Sequence, residues 1–376
     1  MNVEKWIVAH FSPTGGTKRV ADAIAVGLGT PVVAMDLTKA DCEVSLGEKD
    51  AVMAVLPVYA GRVPPVSLER LASLKGKGQK AVAVVVYGNR EYDDALLETK
   101  DALEANGFHV VAAAAFIAEH SIVRSIAAGR PDAEDEALCR QFAADVMAKA
   151  DDAPGICVPG NTPYKALKPS TFHPAADESC VKCGVCAGQC PMGAIPMDDP
   201  SQTNHNLCIN CMHCVKVCPQ QCRALPDAFL SMITQMLNQN ASGYKKPAIF
   251  LQNQMNRQEL AAYLTDTYGT TGEHLFARYP NFLVFRHNGR KKWFAVLMDI
   301  PRKNLKLPGE GDISVVNLKC DTRLIGSFRM EPGIFPGWHM NKAHWLTVAL
   351  DGAVEDEKIR FWVDMSYELT QRGTPQ

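Results

Sequence analysis

Eight of the thirteen cysteines fall into two copies of one pattern, Cys180-x2-Cys183-x2-Cys186-x3-Cys190-Pro191 and Cys208-x2-Cys211-x2-Cys214-x3-Cys218-Pro219. Thiolates are soft ligands that suit iron-sulfur clusters, zinc and copper(I). Each iron at the corner of a [4Fe-4S] cube takes one thiolate. A tight C-x2-C-x2-C turn brings three sulfurs round one cube and leaves backbone N–H groups free to bond its sulfides. Two such runs predict two [4Fe-4S] clusters and one-electron chemistry. Structural zinc takes two separated C-x2-C pairs instead. Disulfides suit a small exported chain, whereas Met1 to Phe11 has no basic segment leading into an apolar stretch.

In two-cluster ferredoxins with this spacing the fourth cysteine ligates the other cluster. That resemblance assigns Cys180, Cys183, Cys186 and Cys218 to one cluster, and Cys208, Cys211, Cys214 and Cys190 to the second. Cys222 is open to two readings, a spare ligand or an unligated, partly buried thiol. Cys42, Cys139, Cys157 and Cys320 are scattered and read as core residues.

The elements that hold these runs follow from the rest of the chain. Its 376 residues exceed one ordinary domain, and 47% hydrophobic content with a net charge of -2 describes a soluble protein with sizeable cores. No apolar run reaches the roughly 18 residues of a membrane span. The near-neutral balance disfavours nucleic acid and anionic membranes as partners, and free thiols fit a reducing cytoplasm.

Residues 1–152 alternate apolar runs with amphipathic stretches, the mark of strand-helix units around a parallel sheet. Strands are expected at Trp6–Phe11, Val32–Asp36, Ala51–Val58, Ala81–Tyr87 and Val110–Ile117, and helices at Thr17–Leu28, Ser67–Leu74, Asp93–Asn106 and Ala133–Ala150. Residues 153–175 read as a Pro/Gly-rich linker, 176–223 as the cysteine module, and 224–254 as a connector whose helix, Ala228–Leu237, turns Phe229, Met232, Ile233, Met236 and Leu237 to one apolar face. Residues 255–376 form an α+β domain. Asn256 and Glu259 predict a helix start before Arg257–Tyr268. Strands Phe282–Arg286, Trp293–Asp299 and Ser314–Lys319 follow, the first two joined by the turn His287–Arg290, and then helices and a final strand.

The first strand runs into Ser12-Pro13-Thr14-Gly15-Gly16-Thr17, and a helix begins there. Hydroxyls and unpaired N–H groups at a helix N-terminus suit a phosphate dianion. Ser12, Thr14, Gly15, Gly16 and Thr17 match the FMN-phosphate loop of flavodoxins, S/T-x-T-G-x-T, position by position, and the chain here resembles that family. The resemblance implies a doubly wound parallel sheet with the flavin ring at the carboxyl ends of strands three and four. Ring contacts are expected from Pro57, Tyr59, Ala60, Gly61 and Arg62 in one loop, and from Tyr87, Gly88, Asn89 and Tyr92 in the other, with Tyr59 as the stacking residue.

As far as residue 223 the chain resembles flavodoxin-ferredoxin fusions of the EFR type from anaerobic bacteria and archaea. Residues 255–372 resemble the MmcQ/YjbR family through Lys292-Trp293-Phe294-Ala295, Gly337-Trp338-His339-Met340-Asn341-Lys342-Ala343-His344-Trp345 and Ser366-Tyr367-Glu368-Leu369. That family resembles small frataxin-like α+β folds and often carries a DNA-binding label, but 16 Lys+Arg against 14 Asp+Glu over 255–376 is weak for a phosphate-dominated interface. His339 and His344, with Lys342 and Arg286, are either an anion pocket or local hydrogen-bonding partners under a tryptophan. The resemblances imply an electron carrier joining two clusters and FMN to ferredoxin-type redox partners. The alternatives are an FMN reductase of a small acceptor and a redox-responsive regulator acting through the C-terminal domain.

Overall fold

Continuous apolar runs make the strands of the first unit. β1 (Trp6–His10), β2 (Val32–Asp36), β3 (Ala51–Pro57), β4 (Lys80–Tyr87) and β5 (His109–Ile117) alternate with α1 (Gly16–Gly27), α2 (Pro65–Leu71), α3 (Ala95–Ala105) and α4 (Ala133–Met147) in a computed structural model of the chain. It describes all residues except 42, 43, 150, 152, 154, 168, 169, 252–254, 290, 309, 355 and 372–376. Cys42, Arg290 and Ala150, the expected end of α4, therefore lie outside the described residues. The chain forms two units, Met1–Asn253 and Gln254–Gln376.

In the first unit the strands run parallel in the order β2-β1-β3-β4-β5. This doubly wound order places a topological switch point between β1 and β3. Both sheet faces are buried, which is why the strands read as unbroken apolar runs. Ile7, Val52, Ala54 and Val85 pack with Leu71, Leu96 and Leu103 of α2 and α3 on one face, while Val8, Met53, Val55 and Val84 pack with Ile24 and Phe142 of α1 and α4 on the other.

The chain next makes β6 (Ala175–Ala176), α5 (Val185–Gly188), α6 (His213–Val217) and β7 (Arg223–Ala224), with β6 and β7 paired antiparallel. The connector segment departs from expectation. Its helix α7 (Asp227–Asn240) packs Leu230, Ile233 and Leu237 on Val123 and Ile126 beyond β5. Met232 and Met236 are exposed, and Phe229 instead stacks on Phe172 at 4.7 Å. Residues read as linker then form β8 (Ala248–Phe250), a sixth strand antiparallel to β5. It covers an edge whose N–H and C=O groups would otherwise stand unpaired. The cysteine module is thus an insertion bracketed by elements of one sheet.

The second unit begins with α8 (Arg257–Tyr268), followed by β9 (Leu283–Arg286), β10 (Trp293–Pro301), a 3-10 turn (Arg302–Leu305), β11 (Asp312–Lys319), α9 (Ile325–Phe328), β12 (Ile334–Pro336), β13 (Trp345–Ala349) and α10 (Asp356–Gln371). A helix, rather than the expected strand, comes last. The antiparallel sheet, β12-β13-β11-β10-β9, packs Phe285, Phe294, Val316 and Leu346 against Leu260 and Leu264 of α8 and Trp362 of α10. Ser366 fixes α10 to the sheet, donating to the Phe294 carbonyl at 2.5 Å and accepting the Lys319 N–H at 2.7 Å. Among the described residues no helix is long and apolar enough to cross a membrane.

Asn256 caps α8 reciprocally with Glu259, each side chain accepting the other's backbone N–H at 3.0 Å. Replacing an Asn cap by Ala typically costs about 1 kcal/mol, and by Gly only a few tenths. Asn256→Ala should therefore lower the urea stability of the second unit by about 1 kcal/mol, with Asn256→Gly close to the parent. Equal midpoints for all three proteins would remove the cap from the account of this helix.

Candidate cysteine and phosphate-loop sites

The two cysteine runs share a backbone device. Lys182 and Gly184 flank Cys183 with φ of 53° and 76°, and Asn210 and Met212 flank Cys211 with φ of 53° and 62°. Three residues past each fourth cysteine, Gly193 and Gln221 repeat the conformation with φ of 60° and 54°. A left-handed residue costs roughly 1–2 kcal/mol where it is not glycine. Its recurrence at equivalent steps identifies the turns that gather the sulfurs. After Gly184 and Met212 the chain enters α5 and α6. β6 and β7 close the module, with the Asp177 N–H donating to the Cys222 carbonyl at 2.9 Å.

Two small cavities of similar size result. Cys180, Cys183, Cys186 and Cys218 line the first, together with Cys222. Cys190, Cys208, Cys211 and Cys214 line the second. The fourth cysteine of each run thus faces the cavity of the other. Among the described residues no three His, Cys, Asp or Glu side chains converge as ligands of a single ion. Four thiols lining one cavity suit a group that takes one thiolate at each of several corners. Burial pushes the Cys211 thiol up to about 12, and raises Cys208 and Cys214 against the opposing charge of Arg223. Burial also opposes ionisation of Cys218, but hydrogen bonds from the Cys222 amide and thiol outweigh it and lower its pKa. The Cys218 and Cys222 sulfurs lie 3.4 Å apart. Elsewhere Cys139 and Cys320 are core residues as expected, whereas Cys157 is exposed.

The loop after β1 is held from within and covered from outside. The Ser12 hydroxyl accepts the Lys18 N–H at 2.8 Å, the Ser12 N–H donates to Thr38 Oγ1 at 2.9 Å, and Gly15 turns with φ of 91°. The second cysteine run reaches the same loop. Lys216 Nζ donates to the Thr14 carbonyl at 2.5 Å, and the His213 ring meets the Pro13 carbonyl. Thr14, Gly15, Gly16, Arg19, Glu119, Arg130 and Lys216 line one cavity, whereas Ser12 and the largely buried Thr17 are not among its lining residues. The start of α1 and the Lys216 ammonium bring positive charge to this cavity, while Arg19 and Arg130 are paired with Glu136 and Asp135. The sequence offered no sign of His213 or Lys216, since each is about two hundred positions from its contact.

The loops expected to meet a flavin ring divide into two groups. Tyr59 and Arg62 close a tight turn through mutual backbone bonds of 2.8 and 3.1 Å, with Ala60 and Gly61 both at positive φ. A side chain at Gly61 would strike Asp93. Pro57 ends β3 in the core, and Tyr59 stands where burial, reinforced by Cys211, raises its phenol pKa. Tyr87 and Tyr92 pack edge to face at 5.5 Å. Arg62 is committed elsewhere. Its guanidinium grips Glu98 at 2.6 and 2.8 Å, donates to the Lys165 carbonyl, and lies over Tyr164. Asn89 is likewise engaged, donating to the Ala241 and Gly243 carbonyls at 2.6 and 2.8 Å.

In the second unit Arg286 pairs with Glu273, and the Lys342 carbonyl accepts from Arg329. His339 packs edge to face on Trp338 at 4.0 Å.

A family model described as YjbR matches residues 265–369. Protein YyaQ of Bacillus subtilis (strain 168) is 31% identical over 117 residues, 31% of this chain and 99% of that protein. A solved Pseudomonas syringae protein is 40% identical, with a TM-score of 0.31, over 31% of this chain and 99% of that one. A flavodoxin from the domain Archaea is 19% identical, with a TM-score of 0.30, over 38% of this chain and 96% of that one.

Gly88 lets His120 close over the end of β4, since a Cβ there would lie 2.5 Å from the imidazole. His120 Nδ1 accepts the Ile122 and Val123 N–H groups at 3.2 and 3.1 Å. Burial, helped by Arg90, lowers its pKa from 6.5 to about 4. Between these values the unfolded chain binds a proton that the folded chain does not, so stability falls as pH drops from 6.5 toward 4. The urea midpoint of His120→Asn should fall less steeply over that window than the parent's. Parallel pH profiles would show that His120 protonates freely in the fold.

Proposed function

We propose that this chain, which belongs to the YjbR family through its C-terminal unit, is an electron-transfer iron-sulfur flavoprotein with two [4Fe-4S] clusters and FMN in its N-terminal unit. The observation that carries the reading is the division of eight cysteines into two cavities of four, each completed by the other run's last cysteine. An all-thiol donor set suits a cluster, and the turns at Lys182, Asn210 and Met212 accept a backbone cost to form it. When bound, the clusters supply one-electron transfer and the flavin exchanges one or two electrons.

The chain's own residues position these groups. Ser12, Thr14, Gly15, Gly16 and Thr17 hold the flavin phosphate at the start of α1, and Lys216 adds a cation from the cysteine module. Tyr59, in the loop expected to meet the flavin ring, lies close enough to Cys211 of the second cavity for that thiolate to reinforce the rise that burial gives its phenol pKa. That proximity favours transfer within the chain. Its partners are one-electron redox proteins of the ferredoxin type, in a reducing compartment that keeps the thiols free.

Anaerobically purified protein should contain about eight irons and about eight labile sulfides per chain, as two four-iron clusters require, together with one FMN. Cys218→Ala should damage the cluster of Cys180, Cys183 and Cys186 and spare the other, and Cys190→Ala should do the reverse. Zinc in place of iron, or full flavin with no iron, would overturn the reading. Lys216→Gln should weaken FMN binding at least tenfold in a fluorescence titration, since a hydrogen bond to a charged group contributes about 1.5–3 kcal/mol. An unchanged Kd would remove Lys216 from the phosphate site.

A further inference from the structure

Three arginines of the first unit are nearly enclosed, and only two have a carboxylate. Arg62 is paired with Glu98, and Arg130 with both oxygens of Asp135. Arg223, on β7, is 2% exposed. It donates through Nη1 to the Pro200 carbonyl at 2.7 Å, and through Nη2 to the Pro174 carbonyl at 3.1 Å and to Thr203 Oγ1. Its Nε is buried with no hydrogen-bond partner among the described residues. Two carbonyls and a hydroxyl are neutral. Burying an ion without an opposite charge costs several kcal/mol, so a cation in this position calls for negative charge nearby.

Among the described residues no carboxylate pairs with Arg223, and the ionisable groups beside it in the cavity it lines most closely are thiols. Arg223 lines the first cysteine cavity with Cys180, Cys183, Cys186 and Cys218. Its Nη2 bonds Pro174 and Thr203, both of which line the second cavity with Cys190, Cys208, Cys211 and Cys214. The guanidinium therefore stands between the two sets of four sulfurs.

We propose that Arg223 is a counter-cation shared by the two clusters, a positioning residue that holds both reduction potentials up and lets the second electron enter while the first is still present. The inference rests on the cluster reading above. Each electron, delivered by a one-electron donor such as dithionite, adds one negative charge to a cluster with no bond made or broken. A fixed positive charge beside both cavities offsets that charge, and cluster potentials respond to net charge and hydrogen bonding in this way.

The test is an anaerobic redox titration of the full chain, followed by EPR, with iron and sulfide measured on every sample. Arg223→Gln removes the charge and keeps a donor, whereas Arg223→Lys keeps the charge and alters the hydrogen bonds. At a fixed poise Arg223→Gln should lower the reduced-to-oxidised ratio of both clusters at least tenfold, which for one electron is about 59 mV. Arg223→Lys should stay within about threefold of the parent, roughly half of that shift. Parent-like potentials in an iron-replete Arg223→Gln protein overturn the inference and leave the cluster reading intact. Should Arg223→Gln fail to hold iron while Arg223→Lys holds it, the charge is required and the inference stands. Loss of iron from both variants alike makes Arg223 a structural buttress and overturns it. A parent protein without iron overturns the cluster reading and this inference together.

Discussion

The first unit depends on contact between the second cysteine run and the loop that follows β1. Lys216 and His213 bond the carbonyls of Thr14 and Pro13, and Arg70 of α2 donates to the Pro191 carbonyl at 2.6 Å from the opposite side. A few polar contacts of this kind contribute about 1 kcal/mol each, too little to hold a module of some fifty residues by themselves. The covalent path supplies the rest. The chain leaves the sheet after α4, makes the module, and returns through α7 to add β8 beside β5. The module is tethered at both ends to one rigid sheet, which reduces the entropy lost in docking.

The outgoing segment is tied down as well. Asp94, at the start of α3, accepts the N–H groups of Asn161 and Lys165 at 2.8 and 2.6 Å, and Ile156 donates to Val110. A carboxylate at a helix N-terminus is stabilised by the helix dipole, so Asp94 serves α3 and the passing chain together. Arg62 belongs to this arrangement, gripping Glu98 of α3 and the Lys165 carbonyl. Its role is to fasten the approach to the module, which explains why it is not free to face a ligand.

The parallel strands and the first helices were legible because both sheet faces are buried and apolar runs mark them directly. Helix α8 was legible to the residue from its cap, Asn256 with Glu259. Strand β8 was not. It is three residues long, follows Lys245-Lys246-Pro247, and exists because β5 has an open edge, a tertiary fact. Periodicity placed Met232 and Met236 on the inner face of α7, but the helix packs on Val123 and Ile126 through Leu230, Ile233 and Leu237 and leaves both methionines exposed. At the candidate site the cysteines announced themselves through spacing, a local property. Arg62, Asn89 and Lys216 have roles set by partners 36, 152 and 202 positions away, and no local pattern encodes those pairings.

The second unit confines its polar groups differently. Asn317 and Thr347, both fully buried on neighbouring strands, form a closed set with Trp338: Thr347 donates to Asn317 at 2.6 Å, Asn317 donates to the Trp338 carbonyl at 2.8 Å, and the Trp338 N–H returns to Thr347 at 2.8 Å. Every member is satisfied by another, so the network fixes the chain before His339 against the sheet and leaves no unmet hydrogen bond for a ligand. Arg223 is the opposite case. Its guanidinium is as deeply enclosed, yet its Nε has no hydrogen-bond partner and no carboxylate pairs with it among the described residues. Self-satisfied polar groups in a core specify a structure, and a buried group left unsatisfied calls for an explanation, as Arg329 and Trp362 of the second unit do besides Arg223.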